Sequence, residues 1–115
     1  MTSLQGTVRD SYGITVVDLS GKITLGEGSA LLRTTVQELL SKGNTRIVLN
    51  LGDVSYIDSS GIGELISVFA TTRSHGGEIK LIKLTKRIRD LLQITRLYTV
   101  FDIREDEKDA AAHFR

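Results

Sequence analysis

The sequence predicts an α/β domain with a mixed, mostly parallel sheet and helices packed on one side of it, in the order ββαβαβαβα. Short apolar runs of the kind that form strands alternate with segments in which apolar residues recur at helical spacing. No linker or internal repeat interrupts this alternation. A length of 115 residues suffices for one hydrophobic core but not for two, so a single domain is expected over residues 1–115.

Hairpin, capping and burial signals predict the elements of the first half of the chain. Residues 11–13 form a turn between two short runs, which indicates a hairpin. Ser29 is expected to cap the first helix, because it directly precedes apolar residues at helical spacing. The run 46–51 is apolar on both faces, as a strand inside the sheet requires. The predicted elements are strands over 4–10 and 14–20, a loop over 21–28, a helix from Ser29 to Lys42 and a strand over 46–51.

The second half of the chain is predicted from the same kinds of signal. A pair of glycines, 76–77, follows the second helix, and Thr85 is a suitable N-cap for the third. Acidic residues begin the last segment, which favours a helix because they complement its dipole. Lys80 and Lys83 indicate a partly exposed strand. The predicted elements are a helix over 60–75, a strand over 79–84, a helix after Thr85, a strand over 100–103 and a helix over 105–114.

Composition argues against several kinds of site. Lys and Arg number 15 and Asp and Glu 14, so the net charge is +1, which argues against nucleic acid as a main partner. The one basic run, Lys86–Arg89, is interpreted as a solvated helix face. The chain has no cysteine and no paired spacing of metal ligands, so no disulfide, metal or cofactor is expected.

Hydropathy predicts a soluble, cytoplasmic protein without a membrane partner. No apolar run approaches the roughly 18 residues that span a bilayer. Residues 1–7 lack the basic-then-apolar layout of a signal peptide. The balance of charges and the few aromatic residues favour a monomer when the protein is free.

The segment Ile57–Gly63 is the strongest candidate for a functional site. It lies where the buried central strand gives way to the second helix, and α/β sheets form their sites at the carboxyl ends of strands. The first helical turn has free N–H groups and a partial positive charge, which would stabilise a phosphate on a serine hydroxyl. Ordinary helix capping explains the same residues, and both interpretations stay open on local sequence. Gly61 and Gly63 favour a site, because each costs about 1 kcal/mol in a helix unless something approaches the backbone.

The runs Ile47–Leu51 and Asp53–Gly63 resemble the signature of anti-sigma factor antagonists, the STAS-domain family. Gly76–Glu78 and the segment 91–101 resemble the family as well, so the resemblance covers essentially the whole chain. It implies a STAS-like fold and a switch protein that is not an enzyme. In such a protein the serine after the aspartate, here Ser59, is phosphorylated by a partner that is both anti-sigma factor and serine kinase. A PP2C-type phosphatase removes the phosphate, and the unphosphorylated form binds the anti-sigma factor and releases the sigma factor.

Three consecutive residues are assigned the central roles in this hypothesis. Ser59 is the expected phosphorylation site. Asp58 is expected to orient the first helical turn and to position Ser59 for the kinase. Ser60 is expected to be the N-cap of the helix and a secondary phosphoacceptor.

The remaining predicted site residues contact the partner. Gly61 and Gly63 are expected to let partner backbone come close, while Ile62 supplies an apolar contact or anchors the helix inward, which its helical spacing favours. The loop after the second strand departs from the family pattern, since Gly-Lys-Ile is followed by Thr where an acidic residue is common. Lys22 and Glu27 in this loop are expected either to tune which kinase is recognised or to be merely solvated.

Two other functions remain as alternatives. One is a STAS-type scaffold subunit of a sensory or lipid-transport assembly, which binds its partner constitutively. The other is a small nucleotide-binding or hydrolytic domain that uses the turn 59–63 as a phosphate cradle. The second alternative lacks an accompanying lysine, catalytic histidine or metal ligand in the sequence.

Overall fold

The computed structural model describes residues 4–114, and its elements follow the predicted order. They are β1 (Gln5–Ser11), β2 (Ile14–Ile23), α1 (Glu27–Ser41), β3 (Arg46–Ile57), α2 (Ser59–Ser74), β4 (Glu78–Ile82), α3 (Lys86–Ile94), a 3₁₀ turn (Leu97–Thr99), β5 (Asp102–Arg104) and α4 (Glu107–Ala111). The five strands form one sheet in chain order. β1 and β2 are antiparallel, whereas every later neighbouring pair is parallel. The predicted α/β class, the mixed sheet and the order ββαβαβαβα are therefore confirmed.

The two central strands run further than predicted. β2 continues to Ile23 instead of residue 20, and β3 to Ile57 instead of residue 51. A glycine and an aspartate after residue 51 resemble a strand end, but pairing with β2 carries β3 through them. β4 pairs with β3 only as far as the Asn50–Ile82 pair. Residues 51–57 of β3 consequently project beyond β4.

The first helix begins before its predicted cap. α1 starts at Glu27 with Gly26 as the N-cap, and Gly26 has a φ of 94°, which residues with a side chain rarely adopt. Ser29 lies inside the first turn, where its hydroxyl donates to the Thr24 carbonyl at 3.0 Å. The prediction of Ser29 as N-cap was wrong, because the glycine lets the chain turn into the helix three residues earlier. The loop between β2 and α1 shrinks to residues 24–26.

The remaining boundaries shift by a few residues. Thr85 caps α3 as predicted, since its hydroxyl accepts the Ile88 N–H at 3.2 Å. The last strand and helix are shorter than expected, and a 3₁₀ turn at residues 97–99 precedes the strand. Among residues 4–114, no helix combines the length and the apolar character needed to cross a membrane.

Three helices cover one face of the sheet, as predicted, and enclose the main hydrophobic core. Leu32 of α1, Leu65 of α2 and Ile88 of α3 are almost completely buried against it. Each such side chain contributes about 1.5–3 kcal/mol through removal from water. The strands contribute alternate residues to this core, among them Val17, Leu19, Ile47, Leu49, Leu51, Ile79 and Leu81.

α4 is an exception to the predicted one-sided arrangement. Ala110 of α4 is buried on the opposite face of the sheet, within a second and smaller apolar cluster. The strands contribute to this cluster the residues Ile14, Val16, Val48 and Ile82. These side chains alternate with those of the main core, so the centre of the sheet is apolar on both faces and both need a cover.

Lys80 of β4 is also an exception, because it is only 1% exposed where partial exposure was expected. Its ammonium pairs with Glu78 at 2.8 Å and with Asp102, and it lies 4.7 Å from the ring centre of Phe114. Two carboxylates and an aromatic face thus compensate the lost hydration of a buried charge. Lys83 is exposed, as predicted.

A second ionic cluster joins the β1–β2 hairpin to α4. Arg9 donates through Nε to Asp18 at 2.6 Å, and its Nη1 lies 2.7 Å from a carboxylate oxygen of Glu107. Asn50 of β3 donates to the same Asp18 carboxylate at 2.7 Å. The hydrogen bond from Arg9 lowers the pKa of Asp18 below its ordinary value, although partial burial acts in the opposite direction.

The pKa of Asp102 is lowered as well. Burial by itself would raise this pKa, but the hydrogen bonds and charges of Lys80 and Arg104 outweigh that effect.

Stability is expected to fall as the pH is lowered, because Asp18 and Asp102 have folded-state pKa values below their ordinary value of 3.8. The contribution of such groups is fully present above the unfolded pKa and is lost as the pH falls through the folded pKa. Urea unfolding at a series of pH values measures this loss. Asp18→Asn should remove part of the pH dependence, whereas Asp10→Asn, at an exposed carboxylate on the neighbouring strand β1, should leave it intact. An unchanged pH profile in Asp18→Asn would contradict this account.

Candidate functional site

The start of α2 is held by Asp58, which is the N-cap of the helix. Its backbone is extended, and its Oδ1 accepts the N–H of Gly61 at 2.7 Å. Ser60 is therefore the second residue of α2, and the prediction that Ser60 caps the helix was wrong. Because β3 continues to Ile57, Asp58 directly precedes the helix. From this position its carboxylate can accept the N–H of the third helical residue. The expectation that Asp58 orients the first helical turn is confirmed.

The same carboxylate ties α2 to the loop between β2 and α1. Asp58 Oδ2 accepts the N–H of Leu25 at 3.1 Å, and the Asp58 N–H donates to the Ile23 carbonyl at 3.2 Å. Lys22 and Glu27 stand on either side of this loop, and both are exposed. The structure thus brings the loop predicted to affect recognition next to the start of α2.

Ser59 is the first residue of α2 and is exposed to solvent. Its hydroxyl is accessible to a second protein, whereas Ser60 is half-buried. The backbone N–H groups of Ser59 and Ser60 belong to the first helical turn, whose donors have no partner inside the helix. The positive end of the helix dipole is therefore available to an anion on Ser59.

The two glycines of the segment differ in their surroundings. A Cβ on Gly61 would lie 2.1 Å from the Ile23 carbonyl oxygen and 2.8 Å from Cγ2 of Ile57. The close approach at buried Gly61 is therefore made by β2 of the same chain, which corrects the expectation that it serves partner backbone. Gly63 is exposed, and a Cβ there would meet nothing within 4 Å.

Apolar side chains lie on α2 beyond Ser59 and in the loop that Asp58 anchors. Ile62 is half-buried and packs against the main core, which confirms the inward orientation favoured by its spacing. Ile66, one turn further along α2, is 39% exposed, and Leu25 is 78% exposed. Sequence reasoning missed Leu25, because a single exposed apolar residue in a loop is not by itself a signal for a surface contact.

Two carboxylates lie close to Ser59 in the sequence at the start of α2. Asp58 is adjacent, and the carboxylate of Glu64 is engaged by Arg33 of α1 at 3.2 Å. Asp53 lies six residues before Ser59, about 20 Å away at the rise of an extended strand. Phosphorylation would therefore add charge to a weakly acidic, partly apolar surface.

The described residues offer little support for a catalytic histidine or a metal site beside Ser59. His75 caps the opposite end of α2, about 24 Å from Ser59 at the helical rise, where its Nδ1 lies 2.9 Å from the Thr71 carbonyl oxygen. Within residues 4–114, no three His, Cys, Asp or Glu side chains are grouped so that they could hold a metal ion.

The sequence of this chain is similar to those of known proteins. The family model described as STAS domain matches residues 6–110. The anti-sigma-B factor antagonist of Bacillus subtilis (strain 168) is 35% identical over 88 residues, which cover 76% of this chain and 78% of that protein.

Solved structures show the same fold. An anti-sigma factor antagonist from Mycobacterium paratuberculosis aligns with a TM-score of 0.83 at 21% identity, over 98% of this chain and 95% of that one. The anti-sigma factor antagonist SpoIIAA in its unphosphorylated form aligns with a TM-score of 0.69 at 17% identity, over 94% of each chain. The phosphorylated form of SpoIIAA, from Bacillus, aligns with a TM-score of 0.67 at 19% identity, over 90% of this chain and 95% of that one.

Gly61→Ala is expected to destabilise the protein by about 1–3 kcal/mol, because the methyl group would overlap the Ile23 carbonyl. Gly63→Ala is the matched control, and it should stabilise α2 by up to about 1 kcal/mol, since alanine favours a helix and has open space there. Urea unfolding of both variants measures the difference. Equal effects of the two substitutions would show that the approach of Ile23 does not constrain Gly61.

Asp58→Ala is expected to cost about 1–2 kcal/mol, because both the cap of α2 and the bond to Leu25 are lost. The amide protons of Gly61 and Leu25 should then exchange faster with solvent. Asp58→Asn keeps one acceptor oxygen for Gly61 and is expected to lose less stability. Unchanged exchange at both amides in Asp58→Ala would contradict the proposed double anchor.

Proposed function

The chain belongs to the STAS-domain family, and on this basis we propose that it is an anti-sigma factor antagonist controlled by phosphorylation of Ser59. In its unphosphorylated form it binds an anti-sigma factor that is also a serine kinase, and the sigma factor is released. A PP2C-type phosphatase returns the phosphorylated protein to the binding form. The observation that carries the proposal is the exposed Ser59 hydroxyl on a helix start that is anchored from within the protein.

The modification is a transfer of the γ-phosphoryl group of ATP to Ser59 Oγ. The new P–O bond replaces the bond to ADP, the hydroxyl proton passes to a base of the kinase, and hydrolysis by the phosphatase releases inorganic phosphate. The phosphate carries about −1.5 to −2 charges and three acceptor oxygens. The first turn of α2 can stabilise this charge without rearrangement, because Asp58 and not Ser59 provides the cap.

Phosphorylation is proposed to act at the surface by excluding the partner. Leu25, Ile62 and Ile66 give the region around Ser59 an apolar character that suits contact with a neutral hydroxyl. A phosphate there adds bulk and a strongly hydrated charge that the partner must desolvate. A loss of 1.4 kcal/mol already weakens binding tenfold, so a few disturbed contacts are enough for a switch.

The other predicted contacts take secondary roles in this proposal. Lys22 and Glu27 flank the loop that Asp58 anchors, so they can set which kinase is recognised. Gly63 can contact partner backbone, because its Cα is exposed and has open space. Ser60 is half-buried, which makes it the less accessible phosphoacceptor of the two serines. We propose further that the protein acts in the cytoplasm, as a monomer when free.

The phosphate-cradle alternative has less support than the switch. The Gly61 N–H already donates to Asp58, and the space above Gly61 is filled by Ile23. The turn therefore lacks the open ring of N–H groups that holds the phosphates of a nucleotide in a glycine-rich loop.

Ser59→Ala is expected to abolish phosphorylation by the cognate anti-sigma factor kinase and ATP, because the accepting hydroxyl is gone. Ser60→Ala is the matched control and should still be phosphorylated. Ser59→Asp should bind the kinase at least tenfold more weakly than the wild type, a loss of about 1.4 kcal/mol or more. Mass spectrometry locates the phosphate, and calorimetry measures the affinity.

Two results would overturn this proposal. Phosphate found only at other residues would remove Ser59 as the switch. Equal affinity of the unmodified protein, the phosphorylated protein and Ser59→Asp for the partner would instead support a constitutive scaffold of STAS type.

A further inference from the structure

The projecting end of β3 has a strand neighbour on one side only. The ladder between β2 and β3 continues to the Ile23–Ile57 pair, whereas the ladder between β3 and β4 stops at Asn50–Ile82. Lys83 covers the beginning of the open edge, since its Cβ lies 3.4 Å from the position of a Cβ on Gly52. Within residues 4–114, Ser55–Ile57 have no strand on this side.

A groove of about 560 Å³ lies between this open edge and α3. We call it the α3 groove, and its lining includes Tyr56, Ile57, Arg87, Ile88, Leu91 and Ile94. Ile94 is 82% exposed, which is unusual for isoleucine, and it lies one helical turn beyond Leu91 on the same face of α3. The groove therefore offers an apolar wall opposite an unpaired strand edge.

The backbone of Ser55 shows that hydrogen-bonding groups point towards α3. Arg87 Nη1 donates to the Ser55 carbonyl at 3.4 Å, a long contact between a side chain and an edge that no strand occupies. An incoming strand can replace this contact with a shorter backbone hydrogen bond. The guanidinium, which lies 6.0 Å from the Tyr56 ring centre, would then be free for another acceptor.

The charges beside the groove are mostly positive. Lys86 is paired with Asp90 at 2.8 Å, so these two cancel. Among residues 4–114, no carboxylate lies within ion-pair distance of Arg87 or Lys22. Lys22 is the neighbour of Tyr56 across the β2–β3 ladder, so two uncompensated cations flank Tyr56. The groove is complementary to an acidic partner.

We propose that the α3 groove binds an extended, acidic segment of a partner protein, which adds to the sheet as a strand beside Ser55–Ile57. Backbone hydrogen bonds to the open edge supply affinity, as in other cases of strand addition. An apolar side chain of the segment packs against Leu91 and Ile94, and a carboxylate pairs with Arg87. The groove lies beside Asp58 but is a surface of its own, so its occupation does not require Ser59 to be in either phosphorylation state.

A random dodecapeptide library displayed on phage, selected against the full chain, identifies what the groove binds. The expected winners alternate apolar residues with Asp or Glu over a few positions. The synthesised winner should bind Ile94→Asp and Arg87→Glu at least tenfold more weakly than the wild type. Val8→Asp, an exposed apolar position on β1, is the matched control and should bind within twofold of the wild type.

A proline scan of the peptide tests the strand geometry. Proline at positions that donate to Ser55–Ile57 should reduce affinity at least tenfold, whereas proline at alternate positions should be tolerated. Ser59→Asp should bind the peptide as the wild type does.

Several results would overturn the inference. These are selection of no peptide, selection of basic peptides, winners that fold as helices and show no alternating proline effect, and winners that Ile94→Asp does not weaken. Peptides weakened by Ser59→Asp but not by Ile94→Asp would place binding at the Ser59 surface, which would remove the α3 groove and leave the proposed switch intact. Loss of the Ser59 switch with retention of peptide binding in the groove would remove the proposed switch and leave the α3 groove intact.

Discussion

The arrangement at the carboxyl end of the sheet depends on the carboxylate of Asp58. One oxygen caps α2 through Gly61, and the other holds the loop after β2 through Leu25. The backbone of the same residue is bound to Ile23. This one residue thus fixes the end of β2, the loop after it and the start of α2 relative to each other. Side chains held in this way lose little entropy on binding, which favours recognition by a partner.

The absence of a side chain at Gly61 is the complement of this anchor. β2 and the first turn of α2 approach so closely that the Ile23 carbonyl occupies the space of a Cβ. The strand ends and the helix start consequently form one rigid unit, and Ser59 stands at its surface. In the proposed switch, a phosphate placed there would change the charge of the surface with little effect on the unit beneath it, so that docking could be controlled without refolding.

The two faces of the sheet are stabilised differently. The face under α1, α2 and α3 is an apolar core, whereas the opposite face combines a small apolar cluster with the ionic contacts of Arg9 and Lys80. These ionic contacts lie on β1, β2, β4, β5 and α4. Among residues 4–114, Lys22 and Arg87 form no ion pair, so their charges remain available to other molecules.

Local sequence determined the class of fold and the position of the candidate site at the start of α2. Apolar spacing defines a strand or a helix through contacts that any α/β sheet provides, so the element order could be predicted, and Asp-Ser-Ser-Gly after a buried strand marked the start of α2. The exact limits of β2 and β3 could not be predicted, because pairing between two distant segments carried both strands through residues that usually end one. The same holds for the cap, since only the extension of β3 to Ile57 decides that Asp58 and not Ser60 precedes the helix.

The tertiary structure alone also decides that the charge of Lys80 is buried and which atoms lie against Gly61. From the sequence, Lys80 was predicted to be partly exposed. In the fold, β5 and the segment after α4 bring Asp102 and Phe114 to it and bury it. From the sequence, Gly61 was predicted to admit the backbone of a partner. In the fold, the Ile23 carbonyl of β2 occupies that space. In both cases the deciding atoms lie more than twenty residues away along the chain, and only folding brings them within a few ångströms of Lys80 and Gly61.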